Sequence, residues 1–187
     1  MPTLHTARLV LRDVIESDWS VIYALSQESL VTQYQTWLRL STSTEAHQWI
    51  HNAMEHNTLH PRQAYNLAIV HQHQAIGWIA WGQPTHHALG DYDFGYALLP
   101  NAWGRGFMTE ALHAALSYMF QSLEARRIFG ECASRNTASA RVMRKVGMTL
   151  SATWIEQNHV TSKEEEHQRY TIDVTAWQRT ATILSAG

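Results

Sequence analysis

Apolar and polar residues alternate in seven stretches of the chain, and four other stretches repeat apolar residues at helical spacing. Alternation with period two is typical of strands, and spacing of three and four residues is typical of amphipathic helices. The pattern predicts strands at residues 8–14, 64–71, 75–82, 91–99, 127–133, 149–158 and 167–174. It predicts helices at residues 18–27, 45–57, 107–123 and 136–146.

The order of these elements predicts an α/β (α+β) fold. We expect a mixed, mostly antiparallel sheet of about seven strands, flanked by about four helices. Strand 91–99, helix 107–123 and strand 127–133 follow one another, so a right-handed crossover should make the two strands parallel. The sequence contains no repeat, low-complexity tract or linker, and we therefore expect one domain over residues 1–187.

Composition narrows the class of protein without naming an activity. Hydrophobic residues make up 45% and charged residues 16% of the chain, as in soluble globular proteins. No apolar run approaches the roughly 20 residues of a membrane span, and the N-terminus has no hydrophobic signal core. The single cysteine, Cys132, fits a reducing compartment. We therefore expect a cytoplasmic protein with no membrane partner.

Charge and histidine content exclude two further classes. The net charge of −2 offers no basic surface, so no nucleic-acid partner is expected. Twelve histidines are present, but they form no recognisable ligand set. His47 and His51 share a helix face without the glutamate of a zinc-protease helix. We therefore expect no metal.

A glycine-rich loop separates strand 91–99 from helix 107–123. The loop reads Trp103-Gly-Arg-Gly106, and its glycines stand one residue apart. A glycine turn that opens a helix points several backbone N–H groups at one spot, where the helix dipole is positive, and this arrangement binds phosphates. An ordinary tight connection remains the alternative interpretation. The chain contains no run that matches the P-loop pattern, and the dinucleotide fingerprint does not fit because position 109 is Thr.

A second motif runs from Asn136 to Met148. Asn136 is a strong helix N-cap, and Gly147 is a typical C-cap residue. Gly104, Gly106, Asn136, Ser139, Lys145 and Gly147 together resemble the two acetyl-CoA motifs of the GNAT superfamily of N-acetyltransferases. One family branch acetylates ribosomal-protein N-termini. The loop sequence of that branch is similar to the segment Pro100-Asn-Ala-Trp-Gly-Arg-Gly-Phe-Met-Thr-Glu-Ala of this chain. The resemblance extends from Arg8 to about Trp177.

This resemblance implies acetyl-CoA as the cosubstrate and a sheet that splays apart where it binds. In the family, the diphosphate sits on the N–H groups of the glycine loop, and the pantetheine arm pairs with the free edge of the preceding strand. The implied cofactor-binding residues are Tyr96, Ala97, Leu98, Leu99, Trp103, Gly104, Arg105, Gly106, Phe107, Met108, Thr109, Asn136, Ser139, Val142 and Met143. Met143 stands where many members carry a tyrosine that protonates the departing thiolate.

The catalytic candidates follow from the same resemblance. Ser139 is our candidate acid for the thiolate; a first-turn helix residue bonding back to the cap is the alternative. A backbone N–H near Leu98 is the candidate oxyanion donor. Asp93 and Glu156 are the candidate bases, although a strand-edge carboxylate and a solvent-facing strand residue are the alternatives for them.

The acceptor is expected to be a primary amine, and the sequence favours an amine of low pKa. Deprotonating an α-amine of pKa near 8 costs about 1 kcal/mol at pH 7, whereas a lysine amine costs about 4–5 kcal/mol. Because no unambiguous base stands out, a protein N-terminus is the first hypothesis and a small amine is the second. A non-catalytic acyl-CoA binding module is a third. Tyr34 and Trp37 are candidate substrate residues, with buried core as the alternative, and a homodimer is possible.

Overall fold

The computed structural model describes residues 3–84, 88–157 and 164–185, with only the backbone described for 180–185. Eight strands lie in this part of the chain: β1 (Leu4–His5), β2 (Val10–Asp13), β3 (Ala64–His71), β4 (Gln74–Gly82), β5 (Asp91–Leu98), β6 (Arg127–Ala133), β7 (Thr149–Gln157) and β8 (Glu164–Asp173). Six helices accompany them: α1 (Trp19–Gln27), α2 (Ser29–Thr32), α3 (Ser43–Thr58), α4 (Phe107–Ser122), α5 (Thr137–Lys145) and α6 (Val174–Ser185).

The strands form one sheet in the order β1-β2-β3-β4-β5-β6-β8-β7. This arrangement confirms the predicted mixed, mostly antiparallel sheet, with the short β1 as an additional strand. The four predicted helices correspond to α1, α3, α4 and α5, while α2 and α6 were not predicted. The predicted last residue of β7, residue 158, lies outside the described part of the chain.

Contacts divide the chain into two compact units, and β5 contributes residues to both. The first unit comprises Met1–Gly82 and Phe94–Ala115, and the second comprises Gln83–Asp93 and Leu116–Gly187. The expectation of one domain over the whole chain stays a prediction.

The first unit is built on antiparallel neighbours. β2 pairs with β1 and β3, and β3 pairs with β4 through a register that shifts between Ile69 and Val70. Residues of α1, α3 and the sheet form its core, in which Ile22, Leu25 and Ile50 are fully buried. Burial of these side chains drives the packing, since each contributes about 1.5–3 kcal/mol relative to exposure.

A buried ion pair joins β2 to the segment just before β3 in the first unit. The Arg62 guanidinium donates to both carboxylate oxygens of Asp13, at 2.9 and 3.0 Å, and to Asn57 Oδ1 at 2.6 Å. The two side chains of the pair are only 12% and 8% exposed. Removing one partner of such a pair costs about 3–5 kcal/mol, because the other charge stays buried without a counter-ion.

The second unit contains the parallel pair that the sequence predicted. The first three residues of β5, Asp91–Asp93, lie beside Arg127, Ile128 and Phe129 of β6 in parallel register. β6 then pairs antiparallel with β8, which pairs antiparallel with β7. The edge strand β7 is exposed along almost its whole length. Among the described residues, Leu150 and Ile155 of this strand therefore bury little apolar surface.

Candidate active site

The glycine loop has the backbone conformation that only glycine adopts readily. Gly104 and Gly106 have φ angles of +71° and +79°, in the left-handed region. A Cβ at Gly104 would meet no atom within 4 Å, so conformation alone requires glycine there. The first bond inside α4 runs from the Glu110 N–H to Gly106 O, at 3.1 Å. The N–H groups of residues 107–109 therefore have no carbonyl acceptor inside the helix.

One side chain links this loop back to β5. The Trp103 indole N–H donates to Leu98 O at 2.7 Å. Trp103 is 43% exposed, and it stands directly before Gly104. The hydrogen bond fixes the start of the loop relative to the end of the strand that precedes it. Among the predicted cofactor-binding residues, it therefore brings Trp103 and Leu98 together.

Along the last residues of β5, the backbone N–H and C=O groups point alternately toward β4 and away from it. The Leu99 N–H donates to Ile76 O at 2.9 Å, so the polar groups of Leu99 face β4. A Cβ on Gly77 would lie 2.1 Å from Ala97 O, which shows how closely the two strands approach there. Because neighbouring residues in a strand point to opposite sides, the N–H and C=O groups of Tyr96 and Leu98 face away from β4.

Both carbonyl groups on this outer edge already accept side-chain hydrogen bonds. Leu98 O accepts from Trp103, and Tyr96 O accepts from Gln35 Nε2 at 2.7 Å. The family resemblance implied a free strand edge here, whereas both of these carbonyl groups are already bonded. The N–H groups of Tyr96 and Leu98 face the same edge, and the role of the Leu98 N–H as oxyanion donor stays a prediction.

Gln35 lies between the two predicted substrate residues, Tyr34 and Trp37. Its bond to Tyr96 therefore places the substrate-residue segment beside the predicted cofactor strand, within the first unit. Trp37 is 56% exposed, and its ring lies 5.6 Å from that of Trp78, whereas Tyr34 is half-buried. Gln35 Oε1 is buried with no hydrogen-bond partner among the described residues. Sequence reasoning missed Gln35, since nothing local signals a bond to Tyr96.

In the second unit, Asn136 caps α5 as the sequence predicted. Its side-chain oxygen accepts from the Ser139 N–H at 3.1 Å. Met143 is buried, with 1% of its surface exposed, and Val142 is half-buried. The cap occupies the Asn136 side-chain oxygen. The roles of Asn136, Val142 and Met143 toward a cofactor stay predictions.

The Ser139 hydroxyl lies against the thiol of Cys132 on β6. Burial raises the pKa of the Cys132 thiol above its usual range, while the hydrogen bond with Ser139 and the charge of Arg144 oppose that shift. The Ser139 side chain therefore contacts the Cys132 sulfur, and its role as the acid stays a prediction. The sequence assigned Cys132 no place in the site, because the contact depends on packing of α5 against β6.

The two candidate bases lie in different parts of the second unit. Asp93 is half-buried, and it is the last residue of β5 in the parallel register. Glu156 is exposed on β7, where it accepts from the Trp154 indole at 3.3 Å. Since β8 lies between β6 and β7, Glu156 is two strand spacings, about 10 Å, from the strand that carries Cys132. The roles of both carboxylates stay predictions.

Comparison with known proteins identifies the class of this fold and site. The chain matches the family model for the acetyltransferase (GNAT) domain over residues 8–149. It is 27% identical to the uncharacterized N-acetyltransferase YnaD of Bacillus subtilis over 145 residues, covering 78% of this chain and 81% of that protein. It is 26% identical to an FsC-acetyl coenzyme A-N(2)-transacetylase of Aspergillus fumigatus, covering 95% and 79% of the two chains.

Solved structures share the fold at lower identity. The ribosomal L7/L12 α-N-protein acetyltransferase RimL, in complex with coenzyme A, superposes with a TM-score of 0.82 at 19% identity, covering 94% of this chain and 99% of that one. A spermidine N-acetyltransferase of Vibrio cholerae superposes with a TM-score of 0.78 at 17% identity, covering 92% and 99%.

The chain belongs to the GNAT acetyltransferase family, and it is an N-acetyltransferase. This confirms the family resemblance drawn from the glycine loop and the Asn136 motif. In the described part of the chain, no helix is long and apolar enough to cross a membrane. Nor do the described residues include a cluster of three or more His, Cys, Asp or Glu side chains placed to hold a metal ion.

The raised pKa of Cys132 predicts how the thiol and the native state respond to pH. Near pH 7, alkylation of this single thiol should be slower in the folded protein than in the denatured chain. As pH rises above the ordinary thiol pKa, the unfolded chain loses the proton more readily, so stability falls. Cys132→Ala should remove that part of the alkaline loss, measured by urea unfolding from pH 7 to 10. Equal alkylation rates in the folded and denatured states would contradict the prediction.

Proposed function

We propose that this N-acetyltransferase uses acetyl-CoA to acetylate the N-terminal α-amine of a protein, as the ribosomal-protein acetyltransferases do. The amine attacks acetyl-CoA directly in a ternary complex of enzyme, acetyl-CoA and acceptor. One observation carries the proposal: the glycine loop and the outer edge of β5 follow one another along the chain and are tied by the Trp103–Leu98 hydrogen bond. The loop supplies N–H groups suited to a diphosphate, and the edge supplies the Leu98 N–H for the reacting carbonyl.

Acetyl transfer makes one bond and breaks another. The neutral amine nitrogen attacks the thioester carbonyl carbon, and the oxygen takes negative charge beside the Leu98 N–H. Collapse of this intermediate breaks the C–S bond, and the thiolate takes a proton. We propose that the Ser139 hydroxyl donates this proton; the same hydroxyl contacts the sulfur atom of Cys132. The amine loses its proton to water or a carboxylate, for which Asp93 and Glu156 are the candidates.

The acceptor follows from how much base the reaction needs. An α-amine of pKa near 8 needs about 1 kcal/mol for deprotonation at pH 7, which a modest carboxylate or water supplies. A lysine amine needs about 4–5 kcal/mol and hence a strongly placed base. Glu156 is an exposed carboxylate on the edge strand β7, which favours the acceptor that needs the weaker base.

A small amine is the second candidate acceptor, favoured by two similar proteins. One relative is named as an FsC transacetylase, and one fold neighbour as a spermidine N-acetyltransferase. For this chain, the partly exposed Trp37 beside Gln35 would then line a pocket for an aliphatic amine. A module that binds acyl-CoA without turnover is a third and less supported candidate.

Location and assembly belong to the same proposal. We place the enzyme in the cytoplasm, because its single buried thiol suits a reducing compartment. We propose a homodimer that covers β7, an edge strand on which Leu150 and Ile155 are 51% and 61% exposed. Exposed apolar edge strands otherwise tend to pair with other chains.

An acceptor screen tests the proposed function. The enzyme is incubated with acetyl-CoA and, in parallel, with N-terminal peptides, lysine side-chain peptides blocked at the N-terminus, spermidine and free amino acids. We expect the highest kcat/KM on peptides with a free α-amine. Preference for spermidine or an amino acid would establish the second candidate, and coenzyme A binding without any turnover would establish the third.

Substitution of Gly106 tests the cofactor loop. Gly106→Val should reduce coenzyme A affinity by more than about tenfold, because a β-branched residue disfavours positive φ and moves the loop N–H groups. The readout is calorimetric binding of coenzyme A. Gly90→Val is the matched control, since Gly90 also has positive φ, at +86°, but lies in the turn before β5. Unchanged affinity in Gly106→Val would contradict the loop assignment.

Substitution of Ser139 tests the proposed acid. Ser139→Ala should lower kcat about 10²-fold while coenzyme A affinity changes by less than about threefold, as for loss of a general acid. Thr137→Ala, at an exposed first-turn position of the same helix, is the control and should retain kcat. Equal losses of turnover and binding in Ser139→Ala, or no loss, would exclude the acid role.

A further inference from the structure

Arg8 holds the glycine loop from the N-terminal part of the chain. It lies between β1 and β2, and its Nη1 donates to Arg105 O, inside the loop, at 2.9 Å. Its Nε and Nη2 contact Glu110 Oε2 at 2.7 and 2.6 Å. All of these residues belong to the first unit. One guanidinium thus binds both the loop and the first turn of the helix that follows it.

Glu110 is held as an ionised carboxylate. Its Oε1 accepts from the Thr6 hydroxyl at 2.6 Å and from the Arg8 N–H at 2.9 Å. Burial alone would raise the pKa of Glu110, but the hydrogen bonds from Thr6 and Arg8 together hold that pKa below its ordinary value. Near neutral pH, a full negative charge therefore lies in the first turn of α4.

That charge conflicts with an anionic ligand at the same helix end. A carboxylate in the first turn competes with a diphosphate for the positive end of the helix dipole and repels it. The positive charge of the Arg8 guanidinium neutralises the Glu110 carboxylate by direct contact. The Arg8 guanidinium also packs over the Phe107 ring, 4.7 Å from its centroid. Its Nη2 lies 3.5 Å from where a Cβ of Gly106 would be.

We propose that Arg8 is a positioning residue for the cosubstrate. By neutralising Glu110 and holding the Arg105 carbonyl in place, Arg8 allows the glycine loop to bind a diphosphate. The donors of Arg8 that face Glu110 and Arg105 are occupied, so it acts through these residues rather than by binding phosphate. The inference rests on the proposed use of acetyl-CoA, and it adds a segment that the two sequence motifs do not include.

Four variants test this proposal by coenzyme A calorimetry and by the separate KM values for acetyl-CoA and the acceptor amine. Arg8→Met should weaken coenzyme A binding about tenfold and raise the KM for acetyl-CoA by a similar factor. The KM for the amine should stay within about twofold of the wild-type value. Glu110→Gln should stay within about threefold of the wild type. The double variant should regain most of the affinity that Arg8→Met loses, because the uncompensated charge is gone.

Arg62→Met is the matched control, since it breaks an arginine–carboxylate pair in the same unit away from the loop. It should lower the unfolding midpoint but leave coenzyme A affinity unchanged. If Arg8→Met does not fold, Arg8→Lys keeps the charge without the fork and should bind coenzyme A more weakly than the wild type by less than tenfold.

The outcomes separate this inference from the proposed function. A wild-type protein that does not bind coenzyme A overturns the proposed function and the inference with it. If the wild type binds and Arg8→Met binds equally well, the inference alone is wrong. It is also wrong if the double variant binds as weakly as Arg8→Met, because neutralisation of Glu110 would then play no part. If Arg62→Met weakens coenzyme A binding as much as Arg8→Met does, the loss reflects general destabilisation and the inference is wrong.

Discussion

The backbone from Ala97 to Gly106 is the constraint on which the rest of the site depends. β5 approaches β4 so closely that only glycine fits at position 77, and the bond from the Leu99 N–H to Ile76 O sets which strand edge faces outward. Two residues with positive φ then turn the chain into α4 and leave the first N–H groups of the helix without internal acceptors. In the proposed function, main-chain groups rather than side chains therefore supply the donors for the diphosphate.

Side chains around this backbone adjust what it presents. Gln35 and Trp103 occupy the outward carbonyl groups of Tyr96 and Leu98, so acceptors on that edge are already bonded. Arg8 and Glu110 form an ion pair beside the loop, and we propose that this pairing leaves the helix end positive toward a ligand. Both arrangements favour a ligand that brings negative charge or a carbonyl oxygen.

Much of the fold and part of the candidate site follow from local sequence. The parallel pairing of Asp91–Asp93 with β6 follows from the strand–helix–strand order. The cap on α5 follows from Asn136, whose side chain competes well for a free helix N–H. Three elements were missed: α2 has four residues and β1 has two, too few to show a period, whereas α6 has 12 residues. The predicted roles of Asp93 and Glu156 could not be decided locally, because a carboxylate acts as a base only through its neighbours.

The sequence by itself determined the family, the strand that precedes the loop and the need for glycine at positions 104 and 106. These features depend on residues close together in the chain, where φ, caps and periodicity act directly. Only the tertiary structure decided that Gln35 bonds Tyr96, that Arg8 bonds Glu110 and that Ser139 contacts Cys132. Each of these contacts joins separate segments, so it exists only once folding has brought those segments together.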